Sequence, residues 1–283
     1  MAIVSADGLV AAATQTTRII KTAAATTIAL TPFTTWDLAG LPGAGSLAIG
    51  NTANGLVPDD TVAGAPLINA FGGGNSGYLT AIGYRNTIVG GLVLYDRLFH
   101  AGSFVCATLH TDTLATQPAY SGRLPGTDYS GLEILVEINA AMAASATTVA
   151  ITYTNEAGTT GRATGASASM SSFTTRRIIA MPLQAGDKGV QKIESVIIGG
   201  ATNASGTLNV IVARRLWQNR VPVVGGGGLD DFGAIGMPQI YDTSCLWLVT
   251  EADSTSGGLP EVLLTVKNGL VCHGAESPPV PAE

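Results

Sequence analysis

Residues Leu132–Asn139 read LEILVEIN. Leu132, Ile134, Val136 and Ile138 occupy every second position, and Glu133 and Glu137 fall between them. Successive side chains of a strand point to opposite faces, so the stretch predicts a strand with one apolar face and one wet face. On a helix of 3.6 residues per turn the same apolar residues would scatter around the axis. Downstream, AAMAASA at Ala140–Ala146 is the best short helix candidate. VAITYT at Val149–Thr154 then alternates again, and the turn residues Asn155–Gly158 lead into the polar run TTGRATGAS. A run, a glycine-containing turn and a second run predict a hairpin.

The same pattern extends in both directions. LVLY (92–95) and FVCATL (104–109) precede it; RRIIAM (176–181), IESVII (193–198), LNVIVARRLW (208–217), CLWLVT (245–250) and VLLTV (262–266) follow. LQAGDKG and GGATNASG, which separate some of these runs, carry turn chemistry. Short strands, regular turns and no long helix predict a mainly β chain, an antiparallel β-sandwich or jelly-roll-like body over residues 78–275. The tetraglycine 225–228 is a candidate hinge, and ESPPVPAE at 276–283 reads as an irregular Pro-rich C-terminal tail.

Residues 1–77 differ in composition. LAGLPGAGSLAIGNTANGLVPDD (38–60) and FGGGNSG (71–77) alternate small residues with Gly and Pro. So long an irregular stretch is unusual inside a compact domain. It is expected to be an extended N-terminal arm lying on another surface, anchored by Ile28, Leu30, Phe33, Trp36 and Leu38. Its removal should leave the body folded.

Charged residues make up 12% of the chain, about half of the usual ~25%, so little keeps its surface apart from other surfaces and association is expected. The net charge of −6, with basic runs no longer than Arg176-Arg177 and Arg214-Arg215, argues against a nucleic-acid partner. No stretch reaches the ~18 apolar residues of a membrane helix, so no membrane partner is expected. Arg18 is the first basic residue, so no charged region precedes the apolar start as in a secretory signal. Three cysteines without short spacing (Cys106, Cys245, Cys272) suit a reducing cytosol.

Catalytic motifs are missing. No G-x-S-x-G elbow occurs, and Asp231-Phe232-Gly233 stands without the other kinase elements. Cys106 and His110 would share a strand face and could meet Cys272-His273 around zinc, but no ligand motif supports this. Among Asp96, Asp128, Asp230 and Asp231, spacing selects no acid pair, and Asp230-Asp231 reads as an exposed turn. Trp217 and Trp247 sit in apolar strands and read as core rather than sugar platforms. The expectation is no catalytic, metal or cofactor-binding residue, and no enzyme. A carbohydrate- or host-surface-binding module and a hydrolase on a β scaffold stay open as alternatives.

In style the chain resembles structural proteins of tailed bacteriophages. The resemblance is carried by MAIVSADGLVAAATQ, the Gly/Ala/Thr-rich stretch through Gly77 and the hairpin VAITYTNEAGTTGRATGAS. It implies a capsid decoration, cement or tail-associated subunit, often trimeric, made in the host cytoplasm and resident in the virion. Its partners would be itself and major capsid or tail proteins.

Overall fold

The computed structural model describes residues 6–72 and 76–269. A short helix α1 (Ala6–Ala11) leads into β1 (Ala13–Lys21), β2 (Thr31–Thr34), β3 (Gly40–Leu41), β4 (Ser76–Arg85), β5 (Gly90–Val105) and β6 (His110–Thr113). The middle of the chain gives β7 (Leu132–Ala140), β8 (Thr147–Asn155), β9 (Arg162–Ala163), β10 (Ile178–Met181), β11 (Val190–Gly200) and β12 (Thr207–Val221). Then come β13 (Gly227–Asp231), the single turn α2 (Phe232–Ile235), β14 (Gln239–Ile240), β15 (Leu246–Ala252) and β16 (Glu261–Gly269).

The strands form three antiparallel sheets. A central sheet runs β10-β7-β12-β5-β15-β2, an outer sheet runs β13-β4-β16-β1-β3 with β14 also on β4, and a small sheet runs β6-β11-β8-β9. The mainly β, antiparallel, packed-sheet architecture is the one the alternating stretches imply. β5 and β12, 16 and 15 residues long, are the backbone of this arrangement. One face of the central sheet is shared between two cores. Phe104, Ala101, Leu208, Val210 and Val212 pack with Val149, Ile151 and Val196 of the small sheet. Leu92, Leu94, Trp217 and Val221 pack with Ile19, Leu79, Ile82, Val262 and Leu264 of the outer sheet. Register shifts at Val212/Ala213 and Arg215/Trp217 separate the two halves of β12, and such bulges add local twist.

Several expectations change. Residues 13–72 do not stand apart as an arm: β1 pairs with β16 from Ala13 to Ile20, β2 pairs with β15, and β3 pairs with β1. The polar alternation of ATQTTRIIK hid a sheet strand, because only Ile19 and Lys21 in it are fully buried. Ala140–Ala146 is no helix. β7 ends at Ala140, and the backbone beyond it is tied to the 201–203 loop, with Ala143 N donating to Asn203 Oδ1 at 2.8 Å and Ser145 Oγ to Thr202 O at 2.6 Å. The tetraglycine is no domain hinge either. Gly225 makes a turn at φ 70°, Gly227 and Gly228 pair with β4, and β12 and β15 on either side of it share the central sheet. The C-terminal tail 276–283 lies outside the described residues.

Candidate functional site

The second face of the central sheet holds the chain's most unusual chemistry. Bulges and alternation turn Arg97 and His100 of β5, Glu137 of β7 and Asn209 of β12 toward it, and all four are fully buried. Arg97 Nη2 donates to Glu137 Oε1 at 3.2 Å, and Arg97 Nη1 lies 3.1 Å from His100 Nδ1. Asn209 Nδ2 donates to Glu137 Oε2 at 3.0 Å and to Leu47 O at 2.7 Å. A guanidinium only donates, so His100 accepts at Nδ1 and carries its proton on Nε2. Burial, then the neighbouring Arg97, hold the imidazole well below its usual range. Burial pushes the Glu137 carboxyl up, against the pull of Arg97.

Two indoles enclose the guanidinium. Its carbon sits 4.3 Å from the Trp36 ring centroid and 4.2 Å from that of Trp247. A desolvated cation between aromatic faces contributes about 2 kcal/mol or more. Trp247 Nε1 donates to Thr34 Oγ1 at 2.7 Å, and Trp36 Nε1 to Ser46 O at 3.0 Å. Trp36, Leu47 and Ala65 thus form a lid over Leu135, Ile211, Ala213 and Val249. Gly64, at φ +101°, is where the chain passes flat against the indole, because a Cβ there would lie 2.7 Å from Trp36 Cε2. Backbone pairing of Leu56 with His100, at 2.9 Å in both directions, continues the attachment. The bonds form an open chain from His100 through Arg97, Glu137 and Asn209 to Leu47 O, with His100 Nε2, Arg97 Nε and Asn209 Oδ1 buried and unpaired, and its chemical effect is to fasten residues 34–65 to the sheet.

A second polar cluster ties the small sheet. Asp187 accepts from Tyr153 Oη at 2.6 Å, Asn155 Nδ2 at 2.8 Å and Arg162 Nε at 3.0 Å. The Arg162 bond leads in holding its carboxyl down to about 2. This fixes the β8–β9 hairpin that the sequence predicts.

The five predicted anchors separate into two groups. Phe33, Trp36 and Leu38 are buried within their own chain, whereas Ile28 and Leu30 are 43% and 66% exposed. Cys106 and His110 do not share a strand, since β5 ends at Val105 and β6 starts at His110. Burial pushes the Cys106 thiol up to about 11 and the Cys245 thiol to about 12. His110 Nε2 faces Asp112 Oδ2 at 2.9 Å. Cys272 and His273 lie outside the described residues, and among the described residues no three metal-ligating side chains converge. Asp230 is no free turn acid, since it accepts from Trp217 Nε1 at 2.7 Å and Asn219 Nδ2 at 2.8 Å. Asp231 caps α2 by accepting from Gly233 N at 3.0 Å. Asp96 is buried against Arg123, with Ser244 Oγ donating to it at 2.8 Å. Trp217 and Trp247 are core residues, as expected. Sequence reading missed Arg97, His100 and Asn209, and it placed Glu137 in water. One signal was present: Leu135 lies on the glutamate face of LEILVEIN, and an apolar residue there implies cover.

No family model matches the chain, and no curated protein does. Among solved structures, it is similar to the infectious bursal disease virus Gx strain at 10% identity, over 91% of this chain and 80% of that one, with a TM-score of 0.20. The VP2 subviral particle of infectious bursal disease virus matches at 12% identity over 90% and 79%, with a TM-score of 0.19. Scores that low carry no weight for this chain's function.

Proposed function

We propose that this chain is a non-enzymatic structural subunit of a virus particle. It works by packing against copies of itself and against a major capsid or tail protein, as a decoration or cement subunit of a phage does. The observation that carries the reading is how the chain distributes its side chains. Arg97, Glu137, Asp96 and Arg123 are spent inside the fold, while Ile28, Leu30, Leu41, Leu67, Leu229 and Phe232 are 43% or more exposed. A low-charge surface with large exposed apolar side chains favours association. Ile28 and Leu30, the two predicted anchors left exposed, take the particle contact in this reading.

Light scattering on the purified chain, followed by co-sedimentation with particles, tests it. A discrete oligomer that sediments with particles is expected. I28D/L30D should lose sedimentation with an unchanged melting temperature. A chain that stays at 28.6 kDa at every concentration and never sediments rules the reading out.

A further inference from the structure

His100 stands on the seam between the lid of residues 34–65 and the central sheet. Its own backbone makes that seam, with Leu56 N donating to His100 O and His100 N to Leu56 O, both at 2.9 Å. Two residues on, Gly102 N donates to Asn51 O at 3.3 Å. The lid lies so close that a Cβ on Gly50 would sit 2.7 Å from His100 O, and one on Gly55 2.3 Å from Phe99 Cζ. On the neighbouring strand, Asn209 Nδ2 holds the lid through Leu47 O. The imidazole beneath is fully buried.

The groups around the ring leave no place for a second proton. An imidazolium carries a proton on both nitrogens, and Arg97 Nη1 already lies 3.1 Å from Nδ1. Protonation would therefore aim one N–H at another, cation against cation and out of water. The other strands bring no counter-charge that is free. Glu137 of β7 is engaged by Arg97 and Asn209, and Asp96 of β5 by Arg123. Burial keeps the Cys245 thiol neutral. The acids of the lid are occupied too: Asp37 pairs with Arg176, Asp59 accepts from Thr61 Oγ1 and Asp60 from Ile68 N. Asn209 of β12 favours the charged ring, but with less weight than burial and Arg97 have against it.

We propose that His100 is an acid-operated latch, whose protonation parts residues 34–65 from the central sheet while the rest of the fold stays closed. With the lid raised, water reaches the ring and its ordinary value of 6.5 returns. The raised state takes up a proton that the closed state refuses, so acid favours it, by up to about tenfold per pH unit below 6.5. From about pH 7.5 to about pH 5 the gain is about 30-fold. The lid is the part that yields because no strand lies between Pro42 and Ala65. Its opening bares Leu135, Ile211 and Trp247, an apolar surface that stays covered at neutral pH. The latch does not depend on the self-assembly reading and stands or falls on one chain.

Two buried thiols report on it. Cys245 lies with Trp36 and Leu47 in the core that the lid closes, and Cys106 lies in the core of the small sheet. In a Cys272→Ser chain, the rate at which dithiodipyridine labels each thiol is divided by its rate in the unfolded chain at the same pH. At Cys245 this ratio is expected to exceed the one at Cys106 at every pH, as a local opening requires. It should also rise about 30-fold from about pH 7.5 to about pH 5. His100→Asn keeps an acceptor for Arg97 and cannot titrate, so its Cys245 ratio should stay flat; His100→Gln serves if that variant does not fold. Glu137 is present in both chains, so its own titration cancels from the comparison. Equal ratios at the two thiols would mean that the chain unfolds as a whole, and would overturn the latch. A Cys245 ratio that is flat in wild type, or that rises as steeply without the histidine, overturns it as well.

Discussion

Arg97 is a cation with no water around it, held by one carboxylate and two indole faces. Removing one member of a buried ion pair strands the other. Arg97→Ala is therefore expected to cost about 3–5 kcal/mol, read as a lower denaturation midpoint. R97M/E137L, which removes both charges and keeps volume, should cost less than R97A alone. His100 adds a pH dependence. Its folded proton affinity is depressed from the usual 6.5. Below that pH the unfolded chain takes up a proton that the folded chain refuses. Stability should then fall with pH by up to about 1.4 kcal/mol per unit, and this effect vanishes above 6.5. Glu137 acts with the opposite sign, because its raised folded value gives a contribution that is lost as pH rises through it. Comparing wild type with His100→Asn isolates the histidine: the stability gap should shrink as pH drops from 6.5 to about 5. The cluster also depends on a missing side chain, since a Cβ on Gly102 would sit 2.0 Å from Asn209 Oδ1.

Among the elements, the lid formed by residues 34–65 is the part that behaves least like ordinary secondary structure. It is irregular, yet Trp36 is 1% exposed and Leu47 7%. Trp36→Ala removes one wall of the Arg97 enclosure and the largest apolar contact of the lid. Loss of about 3–5 kcal/mol is expected, with new protease cuts between Gly43 and Gly64 while the small sheet stays intact; limited proteolysis with mass mapping checks this. The strands themselves were legible. LEILVEIN, VAITYT and LNVIVARRLW all became strands because period-2 alternation reflects the pleat directly. The lid was not legible, because its role depends on where it lands, and glycine-rich composition is the same for a loose arm and for a chain pressed against an indole. β1 was hidden for a related reason: its outward residues Thr14, Thr16 and Arg18 are exposed, so its pattern lacks apolar contrast.

At the scale of the molecule, both ends of the described chain meet in one sheet, with Ala13 opposite Asn268. Removing residues 1–21 deletes the strand that covers β16 and carries β3 in the outer sheet, and takes Ile19 from the core formed with Val262, Leu264 and Val266. The truncated chain is expected to unfold or aggregate rather than leave a folded body, which circular dichroism and a melting scan would show. A sheet closed by such distant partners also gathers slowly, and refolding in the millisecond-to-second range or slower is expected by stopped flow. The same pairing has a meaning during synthesis. Ile20 leaves the ribosome long before Glu261, its partner, and at 5–20 residues per second the wait is roughly 10–50 s. Throughout that interval β1 is a nascent strand with neither β16 beside it nor a finished core beneath it. On a polysome crowded with copies of itself, the polar residues Thr14, Thr16 and Arg18 of this strand are expected to disfavour its association with a neighbouring nascent chain.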